Sequence, residues 1–234
     1  MNQILITEKI YVTAKLKRKK LFYKILFIIS LVTVICLFLY YIYLEYDKRK
    51  AESISQEILN SISFDSTVVQ DDTLVVSLNE NVQEVKYEEI EEFNNVYTSP
   101  DGTKYVVDSI LNIPSLEINY PVLSETTDEL LKISLNKFWG GNPNTVGNYC
   151  IVGHNYDGKD IFFGKLHKIQ KDDIVELKDK TGEIVKYKVY NTFIVQPTDV
   201  ACTSQLTNGK REITLITCSD GGKTRLVVKC REIE

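Results

Sequence analysis

Ile25 to Leu44 is an unbroken run of twenty uncharged, mostly apolar residues. A helix needs about 20 such residues to cross the hydrocarbon core of a bilayer. The run therefore predicts a single transmembrane helix, placed at 21–44, and takes that segment out of any water-soluble core. Lys15-Leu16-Lys17-Arg18-Lys19-Lys20 lies before it, with Lys24 at its edge, and a smaller cluster, Lys48-Arg49-Lys50, follows. Cytoplasmic flanks carry the excess of Lys and Arg, so residues 1–20 read as a basic cytoplasmic segment and the C-terminal part as extracellular. Tyr40, Tyr41 and Tyr43 fall at the outer interface, where aromatic rings are enriched. The rival reading is a cleaved signal peptide. Against it, the run exceeds an apolar region of ~7–15 residues and no small-x-small site follows. Either way the remainder is exported.

Charge divides the chain again. Residues 1–50 carry ten Lys/Arg against three Asp/Glu, residues 51–100 one against eleven, and residues 101–234 seventeen against eighteen. The basic excess sits at the membrane end, which speaks for topology and against nucleic acid as a partner. Residues 45–100 read as an acidic extracellular stalk, with 45–62 able to extend the membrane helix. A flexible coil of that length reaches roughly 40 Å on average. Ser99-Pro100-Asp101-Gly102 is a turn signal that starts a domain at 101.

From Lys104 onward short β-type runs alternate with turns, at 104–113, 117–123, 148–153, 173–178, 184–196, 212–217 and 225–231. Asp179-Lys180-Thr181-Gly182 joins two of them as a hairpin. One helix is expected at 126–136, starting near Thr127. Many short strands with little helix predict a mostly all-β domain, a closed barrel or a sandwich.

Five cysteines are few and odd in number, so no disulfide framework is expected. Cys36 lies in the membrane run, Cys150 and Cys230 read as buried small hydrophobes, and Cys202 falls in a polar loop. Two histidines cannot build a His-rich metal site, so zinc is not expected. Cys218 differs in its company. It closes the run Thr214-Leu215-Ile216-Thr217-Cys218, and Arg225 opens the next run seven residues later. Upstream, His154 ends Cys150-Ile151-Val152-Gly153-His154. A thiol, an imidazole and a guanidinium at strand ends supply what acyl transfer through cysteine requires: a nucleophile, a proton donor and an oxyanion clamp. Arg stays charged and donates through a planar fork, so it holds a carbonyl without exchanging a proton. Each residue alone has a blander reading, a structural cysteine, a loop histidine or a surface arginine, and only their joint occurrence carries the argument. His167, among polar neighbours, reads as solvated.

These segments resemble the sortase family. Thr214-Leu215-Ile216-Thr217-Cys218 matches its T-L-x-T-C pattern, and Arg225 its arginine. Gly153-His154 with Phe162-Phe163-Gly164-Lys165-Leu166 matches the segment around its histidine, and Ile113-Pro114-Ser115-Leu116 and Tyr120-Pro121-Val122 are similar to its early strands. The resemblance covers about 104–234. It implies an eight-stranded β-barrel with one or two short helices at 101–234, tethered to the cell membrane of a Gram-positive bacterium. It implies a cysteine transpeptidase that cuts an LPxTG-like sorting signal after Thr, holds the fragment as a thioester and passes it to an amine of a cell-wall precursor or a pilin lysine. Carried over, Cys218 is the nucleophile, His154 the general acid and then base, and Arg225 the clamp, with Thr217 and Ile216 lining the substrate site. The Cys/His pair as thiol–imidazole or as thiolate–imidazolium is left open. The tight Cys218–Arg225 loop and the short 197–211 connection resemble class D, while Gly153-His154-Asn155 also resembles class B. No cofactor is expected; calcium activation through Asp157, Asp160, Asp172 and Asp173 stands as an alternative to solvated turn residues. Other functions remain in play: an exported cysteine peptidase, an L,D-transpeptidase-like cell-wall enzyme, or a non-catalytic surface β-domain.

Overall fold

The computed structural model describes residues 14–62, 95–156 and 159–233. Helix α1 (Ala14–Ser61) holds the apolar run in a stretch long and apolar enough to cross a membrane. Its side chains from Ile25 to Ile42 are exposed, as a lipid-facing surface would be. Two compact units divide between Arg49 and Lys50. Within the second unit, the last turns of α1 pack on the β-domain. Ile54, Ile58 and Ile62 are spaced four apart and so share one helix face; Ile58 and Ile62 are buried with Tyr105, Val107 and Leu123. Ser55 donates to Ser134 Oγ at 2.8 Å, and Ser134 donates to the Pro121 carbonyl at 2.6 Å. The first part of the expected stalk is thus helix held against the barrel, whereas 63–94 lies outside the described residues.

The β-domain is a closed barrel. Strand β1 (Val96–Thr98) lies on the edge of β2 (Lys104–Ile113). Then come β3 (Ile118–Leu123), helix α2 (Asp128–Ile133), β4 (Leu135–Trp139) and β5 (Gly147–Gly153). The hairpin β6 (Ile174–Asp179) and β7 (Ile184–Val195) follows, then β8 (Arg211–Ser219) and β9 (Thr224–Glu232). Their order is β1-β2-β3-β4-β5-β8-β9-β7-β6, and β6 pairs back onto β2, so eight strands close the wall. Closure removes the exposed edges that an open sheet would present. The expected strands from 104 onward appear within about two residues of their places, and two more, β1 and β4, are added. The expected helix at 126–136 is shorter. Thr127 caps it by accepting from Leu130 N, but Ser134 turns extended, so Leu135 begins a strand.

Alternation decides what faces the interior. Tyr149 and Ile151 of β5, Ile213 and Leu215 of β8, and Leu226, Val228 and Cys230 of β9 share one core with Leu111, Leu177 and Phe163. With a side-chain period of two, the intervening residues of these strands point to the outer face. Residues 196–210 carry only a 3-10 turn at Ala201–Thr203 and no long helix.

Candidate active site

Three strands lie side by side as β5-β8-β9, and their registers place the candidate residues in one row. On the antiparallel side Cys218 is the cross-strand partner of Arg225. On the parallel side the last pair is Gly153 with Thr217, so His154 is the next residue along, beside Cys218. Neighbouring strands lie about 5 Å apart. Cys218, Arg225 and His154 therefore stand on the outer face of one end of the barrel, at successive positions across it. Sequence alone brings Cys218 and Arg225 near each other through a six-residue loop; His154 arrives only through the parallel pairing of strands 64 residues apart. Among the described residues no hydrogen bond joins the thiol to the imidazole.

Each member is held by its surroundings. His154 follows Gly153, where a Cβ would lie 2.5 Å from Leu135 Cδ2 and 2.8 Å from Phe163 Cδ2, so a side chain there would evict the core. The histidine carbonyl accepts from Phe163 N at 3.1 Å, and Asn155 bridges to Phe162. Fully buried Phe162 and Phe163 thereby fasten the loop that carries the imidazole. Phe162 sits at φ 50°, an uncommon conformation for a bulky residue, and its ring packs edge-on to Tyr120 at 5.2 Å. The His154 ring lies 5.5 Å from that of Tyr156. Burial holds the imidazole below its ordinary pKa; Asp128 acts the other way, and Lys132 adds a smaller downward push.

Cys218 is the penultimate residue of β8, and its carbonyl accepts from Asn155 Nδ2 at 2.9 Å. This bond ties the cysteine strand to the histidine loop, and Asn155 was not singled out in the sequence. Arg225 Nη1 donates to the carbonyls of Gly222 and Thr224, both at 2.9 Å. The turn presents those carbonyls because Asp220, Gly221 and Gly222 all take positive φ (47°, 60° and 90°). Nε and Nη2 have no protein acceptor among the described residues, which leaves part of the fork for another oxygen.

Ile216 and Thr217 part company. Ile216 shares the outer face with Cys218 and lines a cavity of about 100 Å³ with Arg225, Val152, Val195 and Val200. Thr217 does not line it. It is 1% exposed, and its hydroxyl donates to the Gly153 carbonyl at 2.7 Å. In this position it holds the register beside His154. Val152 was legible by the same alternation, two residues before His154; the far wall of the cavity comes from the 197–203 segment and from Phe138, which no local pattern ties to the site.

The other barrel cysteines are ill suited to attack. Burial pushes the Cys150 thiol up to about 12 and the fully buried Cys230 thiol higher, and it raises Cys202 as well. A higher pKa means less thiolate at neutral pH. No group of three or more His, Cys, Asp or Glu able to hold a metal occurs among the described residues. Asp160 pairs with Lys165 at 3.3 Å, Asp172 lies 3.9 Å from Lys188, and Asp173 caps the Gln170 N–H; Asp157 lies outside the described residues.

Comparisons with known proteins agree with this architecture. Sortase A of Bacillus anthracis is 32% identical over 108 residues, which cover 46% of this chain and 50% of that protein. The chain thus matches half the length of that relative. A putative sortase of Bacillus subtilis, YwpE, is 38% identical over 85 residues, covering 36% of this chain and 80% of the relative. A lid mutant of sortase A from Corynebacterium diphtheriae superposes with a TM-score of 0.52 at 24% identity, covering 58% of this chain and 74% of that structure, which speaks to the fold alone. The family model described as the sortase domain matches residues 111–233, more than half of the chain. With that match laid over the closed eight-stranded barrel, the chain belongs to the sortase family.

Proposed function

We propose that this chain is a membrane-anchored transpeptidase that cleaves an LPxTG-like sorting signal and transfers the acyl fragment to an amine. The observation that carries the reading is the row His154–Cys218–Arg225 on the outer face of one barrel end, beside a small cavity with an aliphatic wall. The apolar Leu-Pro part of such a signal suits a cavity walled by Ile216, Val152, Val195 and Val200, and the scissile carbonyl then reaches Cys218.

The chemistry follows from the parts. As Cys218 Sγ adds to the Thr carbonyl carbon its thiol proton passes to His154, and the oxygen that gains charge is held by the free donors of Arg225. His154 gives its proton to the departing Gly amine as the C–N bond breaks, leaving a thioester. The second half runs in reverse: His154, now neutral, takes a proton from an incoming amine, which attacks the thioester and releases Cys218. Burial of the imidazole favours its neutral form. Thr217 and Asn155 act as positioning residues that hold the two strands at this register. The larger basic flank before Ile25 supports an N-terminus in the cytoplasm and a barrel outside, near the cell wall that would supply the acceptor. The test is an intact-mass search for the acyl-enzyme on the full chain, followed by addition of an amine.

A further inference from the structure

A second concavity adjoins the first. An open groove of about 650 Å³ is lined by Glu125, Lys137, Phe138, Trp139 and Gln205, among others, and Phe138 also lines the small cavity beside Ile216 and Arg225. The two share Phe138 as a common wall. The cause is a bulge in β4. Lys137 pairs with Ile151 and Trp139 with Cys150, so Phe138 is an extra residue on its strand. A bulge re-aims side chains, and here two consecutive aromatics stay outside: Phe138 is 45% and Trp139 59% exposed. Neither contributes to a core. Large exposed aromatic area beside a site suits a ligand more than it suits stability.

Distance tells which part of a ligand arrives there. Trp139 pairs with Cys150, and Cys150 with Thr214, four residues before Cys218 along β8. Four extended residues span about 13 Å. A peptide whose scissile Thr lies at Cys218, and whose Leu-Pro part fills the small cavity, has used its motif by the time it reaches Phe138. What enters the groove is the segment preceding the motif.

Charge narrows the chemistry. Lys137 is already engaged, 3.3 Å from Asp108 Oδ2 and 5.6 Å from the Tyr149 ring centre. The Glu125 carboxylate has no partner among the described residues, while its carbonyl accepts from Asn136 Nδ2. The groove therefore offers one uncompensated negative charge beside two π-faces, a pairing that favours a cationic side chain. We infer that this groove is an upstream subsite that binds a basic residue within about three positions before the sorting motif. The inference rests on the donor reading of the small cavity given above.

The experiment uses the full chain in detergent micelles and three peptides: a capped LPxTG peptide, the same peptide with an Arg-containing three-residue extension before Leu, and one with Glu in place of that Arg. In the wild type, kcat/KM for the Arg-extended peptide exceeds that of the short one by about fivefold, expressed in KM. Trp139→Ala brings the ratio between the two peptides close to one. Glu125→Gln, a change at an exposed position, erases the preference of Arg over Glu. Trp139 is the only tryptophan, so its emission in a Cys218→Ala background shifts with the Arg-extended peptide and not with the short one. A wild-type ratio of one overturns the inference, as does a ratio that survives Trp139→Ala. Donor ratios that stay put while transfer to an added amine slows would assign the groove to the acceptor and also overturn it. If neither peptide forms a thioester, the donor reading itself falls and takes the subsite with it; a cleaved short peptide with no extension effect removes the subsite alone.

Discussion

The outer face of β5-β8-β9 has two ends, and they are finished differently. At one end the rows Cys150–Thr214–Lys229 and Asn148–Glu212–Arg231 are covered and saturated. Lys229 Nζ donates to Thr214 Oγ1 at 2.9 Å and lies 3.4 Å from Glu212, whose other oxygen takes two bonds from Arg231 at 3.0 and 2.7 Å. Asn148 Nδ2 donates to the carbonyls of Cys202 and Ser204, binding the 196–210 connection over the strands. At the other end Cys218, Arg225 and His154 have few bonds beyond those that orient them. Buried polar groups are costly unless paired, so the first end fixes the register. The second end sits on the same strands and inherits that register while keeping unpaired donors and a thiol for a substrate. One sheet thus carries a saturated polar cluster and the proposed reactive one only four residues apart.

Substitutions can break this contrast. Arg225→Lys is expected to lower kcat/KM for a sorting-signal peptide by roughly 10²- to 10³-fold, because one ammonium does not reproduce the fork at the oxyanion. Thermal unfolding should barely move, and an activity near wild type would reduce Arg225 to background charge. Lys229→Met should do the opposite. It strips Glu212 of one partner and Thr214 of a donor in a buried cluster, for a stability loss of about 2–3 kcal/mol by denaturant unfolding, with kcat/KM below the melting range falling less than about threefold. If Lys229→Met spared stability and abolished turnover, the two ends would not be separable.

The smallest effect is in the pH profile. His154 has a lower pKa folded than unfolded, so between the two values the unfolded chain binds more protons and stability rises with pH. That contribution is complete above the ordinary imidazole value of about 6.5 and is lost as pH falls through the folded value. The acid limb of kcat/KM should accordingly lie below about pH 6.5. Asp128→Asn removes the influence that raises the value and should move the limb lower, whereas Lys132→Gln should move it slightly higher. A limb at or above the ordinary value, or one indifferent to both changes, would detach the limb from His154.

The shared face of the candidate residues was legible because chemistry and alternation coincide: Cys150, Val152 and His154 lie on one face of their run, and Thr214, Ile216 and Cys218 on one face of theirs. The two most similar-looking neighbours, Ile216 and Thr217, separate by the same rule, since adjacent strand residues face opposite sides. Thr217 is thereby turned inward. Less was visible around β4. Leu135 follows an apolar helical cluster and reads as its continuation, and only the buried Ser134, bonded to Ser55 and Pro121, shows why the helix stops. The Phe138 bulge depends on pairing with β5 and has no local signature. The parallel joining of β5 to β8, which brings His154 to Cys218, is a property of barrel closure and not of either segment.

The measurement closest to the central claim is the intact mass of the full chain after mixing with an LPxTG-like peptide and rapid acid quench. We expect an adduct equal to the N-terminal peptide fragment up to Thr, mapped to Cys218, absent in Cys218→Ala, and discharged by an added amine into a ligated product. An adduct mapped to Cys202, or cleavage that proceeds undiminished in Cys218→Ala, would contradict it.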